Sequence, residues 1–164
     1  MKKSSLMFIT VNLFLLMGYL LYSVVQKERI LSQGKLVLLE LAPVDPRSLM
    51  QGDYMALNYK IGEATNDTFS HFPVRGYCVV RVDPSGIANR VRLQENRAPL
   101  SDGEYLIPYT KGRYDDIHIG AESFFFKEGT SAKYDSARYG GLRIDTKGNC
   151  VLVGLYDPMR KQIR

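Results

Sequence analysis

The chain has 164 residues, enough for one globular domain, and its net charge of +5 comes from 22 Lys and Arg against 17 Asp and Glu. The basic residues are spread along the sequence and form no stripe with interleaved aromatic residues, so nucleic acid is not an expected partner. The sequence contains no Gly-rich phosphate loop, and His71 and His118 lie far apart without metal-ligand spacing around them. We therefore expect neither a cofactor nor a metal ion.

The first predicted element is an apolar helix that is long enough to cross a membrane. Residues 4–26 carry no charge, and residues 6–25 are about 20 mostly apolar residues, which at ~1.5 Å per residue cross a hydrocarbon core of ~30 Å. No small-x-small cleavage site and no lipid-accepting Cys follow, which favours an uncleaved signal anchor over a cleaved signal peptide. Helical propensity continues to Gln33, and Gly34 predicts the helix end. Residues 1–33 are therefore expected to form a transmembrane anchor and stalk.

The side of the membrane follows mainly from the layout of the chain. Lys2 and Lys3 precede the span and Lys27 and Arg29 follow it, so positive charge gives only a slight preference for a cytoplasmic N-terminus. A folded domain behind a short leader and an uncleaved span is typical of a signal anchor. We expect a single-pass protein of the cytoplasmic membrane with its C-terminal domain on the extracytoplasmic side.

Three polar residues of the predicted span, Asn12, Tyr19 and Ser23, form a stripe that Ser5 continues. The spacings of seven, seven and four residues place all four within a narrow sector of the helix. A polar side chain in lipid is stabilised by a hydrogen-bonding partner on another helix. We interpret the stripe as a seam for a membrane partner, and the alternative is that one Asn is tolerated in an otherwise apolar helix.

A turn and a strand follow the anchor and a short Val- and Leu-rich strand at residues 35–41. Asp45 and Pro46 are typical of the cap and first position of a short helical turn, and Gly52 is typical of its end. From Asp53 onward, apolar and polar residues alternate, which predicts a half-buried strand as far as residue 61. The predicted buried face carries Met55, Leu57, Tyr59 and Ile61, and the other face carries Tyr54, Ala56, Asn58 and Lys60.

This segment has two open interpretations. In the first, the turn only positions the strand and Tyr59 only packs in the core. In the second, the turn and the strand bind a ligand. The candidate binding residues are then Arg47, Asp53, Tyr54, Asn58 and Tyr59, with Tyr139 from a later segment.

The residues Gly52-Asp53-Tyr54-x-x-Leu57-x-Tyr59 resemble the signature of the GDYXXLXY protein family. Other blocks are similar to that family as well: Ala42-Pro43-Val44-Asp45-Pro46-Arg47, Phe125-Phe126-Lys127-Glu128-Gly129, Ala137-Arg138-Tyr139-Gly140 and Leu152-Val153-Gly154-Leu155. The resemblance covers residues 30–156 and implies a bacterial membrane-anchored protein found in the company of polytopic membrane proteins. It implies no reaction and transfers no catalytic residue.

Two similar β-hairpins are predicted in the second half of the chain. Residues 76–82 and 87–93 flank Asp83-Pro84-Ser85-Gly86, in which Pro at the second position and Gly at the fourth suit a type I turn. Residues 142–148 repeat the pattern apolar, Arg, apolar, Asp, x, x, Gly, and residues 150–155 supply the returning strand. The similarity of the two hairpins does not establish a duplication.

The remaining pattern completes a β domain. Further strands are predicted at residues 104–109 and 117–126, and the one helix expected after the anchor is at residues 131–138. Short alternating strands of this kind predict a mainly β fold after the transmembrane helix, an antiparallel β sandwich or partly closed barrel with one short helix. The domain should cover residues 34–158, and the basic tail at residues 159–164 is expected to stay in solvent.

Cysteines and carboxylates outside the motif allow few predictions. Cys78 and Cys150 either form a disulfide in an oxidising compartment or are both small buried hydrophobic residues. Glu104, Glu122 and the pair Asp115-Asp116 are expected to be solvated charges, because nothing in the sequence indicates that two carboxylates converge.

A second, faint resemblance gives an enzymatic interpretation. Residues 45–53 are similar to the Ser-Met-x-Pro-Thr-Leu-x-x-Gly-Asp region of membrane-anchored signal peptidases, and residues 134–140 are similar to their later Asp-Ser-Arg segment. Val44 occupies the position of the nucleophilic Ser, and no Lys in a matching context could act as its base. Such a chain is either a degenerate relative or has a site rebuilt around Ser48.

The sequence therefore favours a non-catalytic accessory or interaction protein that associates with a polytopic membrane protein. The polar stripe, the lack of a complete catalytic set in the sequence and the family resemblance all point in this direction. A signal-peptidase-like membrane hydrolase and a periplasmic ligand-binding module are the alternatives.

Overall fold

The computed structural model describes residues 3–42, 54–63, 72–113 and 116–164, with side chains from Met7 onward. The predicted turn at residues 43–53 lies outside the described residues. The expectations for Arg47, Ser48 and Asp53 therefore fall on positions that the structure does not describe.

One α-helix and nine β-strands make up the described part of the chain. The helix, α1 (Lys3–Gln33), ends at Gly34 as predicted, and the Gly34 N–H donates to the carbonyl oxygen of Ile30 at 2.9 Å. The strands are β1 (Lys35–Glu40), β2 (Tyr54–Ala56), β3 (Arg75–Val82), β4 (Ala88–Gln94), β5 (Glu104–Lys111), β6 (Ile117–His118), β7 (Ser123–Phe125), β8 (Tyr139–Ile144) and β9 (Cys150–Tyr156). Two short 3-10 helices, Lys60–Gly62 and Ser131–Tyr134, lie between strands.

The strands form three antiparallel sheets. Their orders are β1-β8-β9, β2-β7 and β4-β3-β5-β6. A bridge between Leu41 and Tyr59 joins the first sheet to the chain after β2, and a parallel bridge between Leu38 and Ile87 joins it to the third sheet. The predicted class is confirmed: an N-terminal apolar helix is followed by a mainly β, antiparallel fold, and the sheets of the described ranges form no closed barrel.

One apolar core connects the sheets. Fully buried side chains come from strands of the first and third sheets, and they include Val37, Leu39, Cys78, Val80, Ile107, Leu142 and Leu155. Burial of each large aliphatic side chain stabilises the fold by about 1.5–3 kcal/mol. The predicted buried face after β2 belongs to the same core, since Met55, Leu57, Tyr59 and Ile61 are all buried. The period-two pattern therefore predicted correctly which side chains are buried.

Three turns of one type organise the hairpins. In each turn, an Asp carboxylate accepts hydrogen bonds from backbone N–H groups further along, and the fourth residue has a positive φ. The pairs are Asp83 with Gly86 (87°), Asp145 with Gly148 (85°) and Asp157 with Arg160 (64°). The first two turns confirm the predicted hairpins β3–β4 and β8–β9. The third has no sequence signal, because Arg stands where the other two have Gly.

The third turn brings the C-terminal residues back onto β9. Gln162 forms an antiparallel bridge with Tyr156, and the Ile163 N–H donates to the carbonyl oxygen of Leu155 at 2.9 Å. Gln162 and Ile163 therefore lie along β9, whereas Met159, Arg160, Lys161 and Arg164 are exposed to solvent as the sequence suggests.

The strand predicted at residues 117–126 is divided into β6 and β7. Gly120 between them has φ of 76°, which turns the backbone out of the extended conformation. The Glu122 carboxylate also accepts hydrogen bonds from the N–H groups of Ile119 and Gly120, so the turn is held by its own side chain. A similar shortening occurs in the motif, where only Tyr54–Ala56 pairs as a strand.

The α-helix predicted at residues 131–138 is wrong in type and length. The structure has a single 3-10 turn, Ser131–Tyr134, because the Tyr134 ring packs on Phe124 and Phe126 at centroid distances of 5.1 and 5.4 Å. These contacts fix the chain close to β7, and β8 then begins at Tyr139. The segment between Tyr134 and the start of β8 is therefore too short for a stable α-helix.

Candidate functional site

The motif segment, residues 54–63, lies between the end of β1 and the loop that precedes β7. Tyr54 pairs with Phe125 across the β2–β7 ribbon. The Leu57 N–H donates to the carbonyl oxygen of Glu122 at 2.7 Å, and the Ala42 N–H donates to that of Asn58 at 2.8 Å. Backbone bonds on both sides therefore fix this part of the motif in the fold.

Tyr59, the last residue of the motif, is buried with its hydroxyl in use. The side chain is in the core with 5% of the residue exposed, and its hydroxyl donates to the carbonyl oxygen of Ala121 at 2.7 Å. Burial raises the pKa of the phenol well above its usual range, and the nearby Glu122 carboxylate adds to the increase. The ring is therefore neutral and anchors the loop before β7.

Gly140 of β8 provides the space for the Tyr59 ring. A Cβ atom at this position would lie 2.8 Å from the Cε1 atom of Tyr59 and 3.0 Å from its hydroxyl oxygen. The adjacent Gly141 has the same relation to Tyr156, whose Cε2 atom would also overlap a Cβ. Two adjacent glycines therefore accommodate two buried tyrosine rings.

We expect Tyr59→Phe to lower the free energy of unfolding by about 1–3 kcal/mol, because the Ala121 carbonyl would lose its buried donor. The measurement is denaturant unfolding of the full-length protein in detergent micelles. The matched control is Tyr54→Phe, since Tyr54 is on the exposed face of the same segment and its change should stay within about 0.5 kcal/mol. Equal effects of the two substitutions would contradict the structural role of the Tyr59 hydroxyl.

A cleft of about 240 Å³ lies beside the motif segment. Its polar lining comes from Asn58, Glu63, Asp116, His118 and Glu122. The His118 Nε2 atom lies 3.4 Å from the Asp116 Oδ2 atom, and its Nδ1 atom lies 4.0 Å from the Glu122 Oε1 atom. Three carboxylates beside one half-exposed imidazole suit a cationic or hydrogen-bond-donating group. Within the described ranges, no group of three or more His, Cys, Asp and Glu side chains is arranged to hold a metal ion.

The structure brings only part of the predicted binding set together. Asn58 and Tyr59 both line the cleft. Tyr54 lies on β2 with its ring 5.8 Å from that of Phe125, and Tyr139 lies on β8 opposite Glu40 and Tyr156. The predicted Arg47 and Asp53 are outside the described residues.

The cleft residues that sequence reasoning missed are Asp116, His118 and Glu122. All three come from one short stretch, and their side chains converge because β6 and the turn at Gly120 fold this stretch back on itself. The His-x-x-x-Glu spacing was visible in the sequence. It gave no signal, because the predicted extended strand would have kept the two side chains apart.

Glu104 is a buried ion-pair residue, not the solvated charge that the sequence suggests. Its side chain is 2% exposed and lies 2.9 Å from the Arg92 Nη1 atom and 3.2 Å from the Arg81 Nη2 atom. The Ser101 N–H also donates to its Oε2 atom at 3.0 Å. The Arg92 hydrogen bond lowers the pKa of this carboxyl to about 2, with the Ser101 amide and the charge of Arg81 acting in the same direction.

This lowered pKa predicts a loss of stability in acid. Because the folded-state pKa is below the unfolded value of 4.5, the contribution of Glu104 is present above about pH 4.5 and is lost as the pH falls toward 2. We expect the melting temperature of the wild type to fall more steeply between pH 5 and pH 2.5 than that of Glu104→Gln. Thermal melts of both proteins across this range test the prediction, and parallel curves would contradict it.

Cys78 and Cys150 are free thiols in the structure, and Cys78 is buried whereas Cys150 is half-buried. Burial raises the pKa of Cys78 to about 12 and that of Cys150 to about 11. Since the thiolate is the reactive form, neither residue is suited to nucleophilic chemistry at neutral pH.

The predicted seam of α1 lies on the helix face that is turned toward the β domain. Asn12 and Tyr19 are exposed and Ser23 is half-buried, and Tyr19 and Ser23 line a cavity between the helix and the domain. Ile30 follows Asn12 by five helical turns on the same face and is buried against the domain. The segment Met7–Gln33 is long and apolar enough to cross a membrane, and its most apolar stretch of 18 residues has a mean hydropathy of 2.0.

An apolar N-terminal helix and a three-sheet antiparallel domain together define a class of β-domain proteins with a candidate membrane anchor. The sequence model of the GDYXXLXY protein family matches residues 16–155, which is most of the chain. The chain therefore belongs to the GDYXXLXY family, as its motif suggests. No curated protein and no solved structure matches the chain.

Proposed function

We propose that this protein is a single-pass accessory subunit that binds a polytopic membrane protein through α1 and its extracytoplasmic β domain. The exposed polar stripe of α1 carries the proposal. None of the most apolar part of α1 is buried by the rest of the described chain, so Asn12 is open to contact with lipid or with another protein. The family match begins at residue 16 and so includes the second half of this helix together with most of the β domain.

The surroundings of Asn12 favour a protein partner over lipid alone. Hydrocarbon chains offer no hydrogen bonds, whereas a polar residue on a neighbouring helix stabilises association by about 0.6–2 kcal/mol. The free energy from one such pair is small, so a stable complex needs further contacts between the two proteins. A polytopic protein provides several helices and a surface above the membrane.

The β domain carries a surface that suits those further contacts. Phe125 on β7 is 73% exposed and lies beside Tyr54 of the family motif. Exposed aromatic side chains are frequent at interfaces, where they bury a large area at a low cost in conformational entropy. This position next to the motif supports a contact between the ribbon β2–β7 and the extracytoplasmic part of the partner.

We expect Asn12→Leu to reduce co-purification of the membrane partner severalfold, since the substitution removes the hydrogen bond and keeps the helix apolar. Tagged full-length protein would be isolated in mild detergent, and retained membrane proteins would be quantified by mass spectrometry. The matched control is Thr10→Leu, which makes a similar polar-to-apolar change on the opposite face of α1. Unchanged recovery of every membrane protein with Asn12→Leu would remove the seam from the proposal.

The proposed orientation is tested separately. Alkaline phosphatase fused after Arg164 is active only outside the cytoplasm, so we expect high activity in a bacterial host, and a β-galactosidase fusion at the same residue should be inactive. The full-length mass of the membrane-bound protein would support an uncleaved anchor. Active β-galactosidase would contradict the orientation, and loss of the first ~25 residues would contradict the uncleaved anchor.

A further inference from the structure

A cavity of about 560 Å³ separates the C-terminal half of α1 from the underside of the β domain. Tyr19, Tyr22, Ser23 and Lys27 line it from the helix. From the domain, the lining residues include Pro108, Ile119, Lys147 and Val151. The cavity therefore has an aromatic and apolar part and a basic part.

The position of this cavity along α1 matches the surface of a bilayer. A span that starts near residue 6 leaves the hydrocarbon core near residue 25, after ~30 Å. Tyr19 and Tyr22 then lie in the outer acyl region, where aromatic side chains are frequent, and Lys27 lies at the level of the headgroups. The cavity opens where lipid phosphates lie.

The charge of the described lining residues is positive. Among them, Lys27 and Lys147 alone carry a charge at neutral pH, and none is a carboxylate. Lys147 also lines an adjacent cavity of about 420 Å³, together with Arg29, Lys35 and Asp145. The Asp145 carboxylate accepts hydrogen bonds within its own turn, from the N–H of Lys147 and from the neighbouring Asn149.

The chemistry of the lining favours a lipid over a second helix. Between Tyr19 and Ile30 the cavity follows α1 for roughly 16 Å. An anionic headgroup matches its lysines, and acyl chains match the rings of Tyr19 and Tyr22.

We infer that this cavity binds the headgroup of an anionic phospholipid from the leaflet that faces the β domain. The lipid phosphate lies between Lys27 and Lys147, and the first part of the acyl chains runs along Tyr19 and Tyr22. This inference rests on the membrane anchor of the proposed function. It goes beyond that function by assigning a lipid ligand to the space between anchor and domain.

The test uses full-length protein that has been delipidated in detergent micelles. Added phosphatidylglycerol should raise the melting temperature by mass action on the folded state, and phosphatidylcholine should not. Lys27→Gln combined with Lys147→Gln should weaken the apparent affinity for phosphatidylglycerol about 25-fold, at about fivefold for each lysine near the membrane surface. Lys133→Gln combined with Lys161→Gln, two exposed lysines elsewhere on the domain, is the charge-matched control and should keep the wild-type response.

Lys27→Arg combined with Lys147→Arg keeps the charge and should keep most of the response, which guards against a general loss of folding. Equal stabilisation by phosphatidylcholine, or an unchanged response in the Lys→Gln double variant, would overturn the inference. Equal stabilisation by inorganic phosphate would show a site for free phosphate and would also overturn it. Flotation with phosphatidylcholine vesicles tests the anchor by itself: failure to float would overturn both proposals, whereas flotation without a phosphatidylglycerol response would overturn only the lipid site.

Discussion

The packing of the Tyr59 ring holds together the parts of the β domain that are far apart in sequence. Its backbone bridges to Leu41 at the end of β1, its hydroxyl binds the Ala121 carbonyl before β7, and its ring fills the space above Gly140 of β8. One residue thus connects all three segments through its backbone and its side chain. A residue larger than Gly at position 140 would overlap the Tyr59 ring, and a residue smaller than Tyr at position 59 would leave a gap beside Gly140. The fold therefore depends on Tyr59 and Gly140 as a pair.

The sequence predicted the local features of this fold and not the long-range ones. Burial in the motif segment was predictable because a period of two defines two faces whatever the strand pairs with. The hairpin at Asp83 was predictable because its turn chemistry lies within four residues. The division of the predicted strand into β6 and β7 was not predictable, since it depends on the positive φ of Gly120. The turn that ends in Arg160 was missed because a non-Gly residue adopts the left-handed conformation there.

The same limit applies to charged residues. The sequence suggests a solvated charge at Glu104 because its partners, Arg81 and Arg92, come from the two strands of a hairpin that precedes it in the chain. The alternation of residues along β3 and β4 places Arg81 and Arg92 on one face of the sheet. Only the strand order β4-β3-β5 then shows that Glu104 lies beside them. In the cleft, Asn58 was predicted from the motif, whereas His118 and Glu122 required the fold of a loop more than 50 residues later.

The face of α1 that carries the polar stripe is also the face that is turned toward the β domain. Asn12 and Ile30 lie on one line along the helix, so a partner helix that contacts Asn12 must lie on the side that the domain overhangs. The cavity lined by Tyr19 and Ser23 lies between these two levels. In the proposed complex, a lipid in this cavity would leave the first half of α1, with Asn12, for the partner helix. The exposed ribbon with Phe125 would then be free for contacts of the β domain with the same partner.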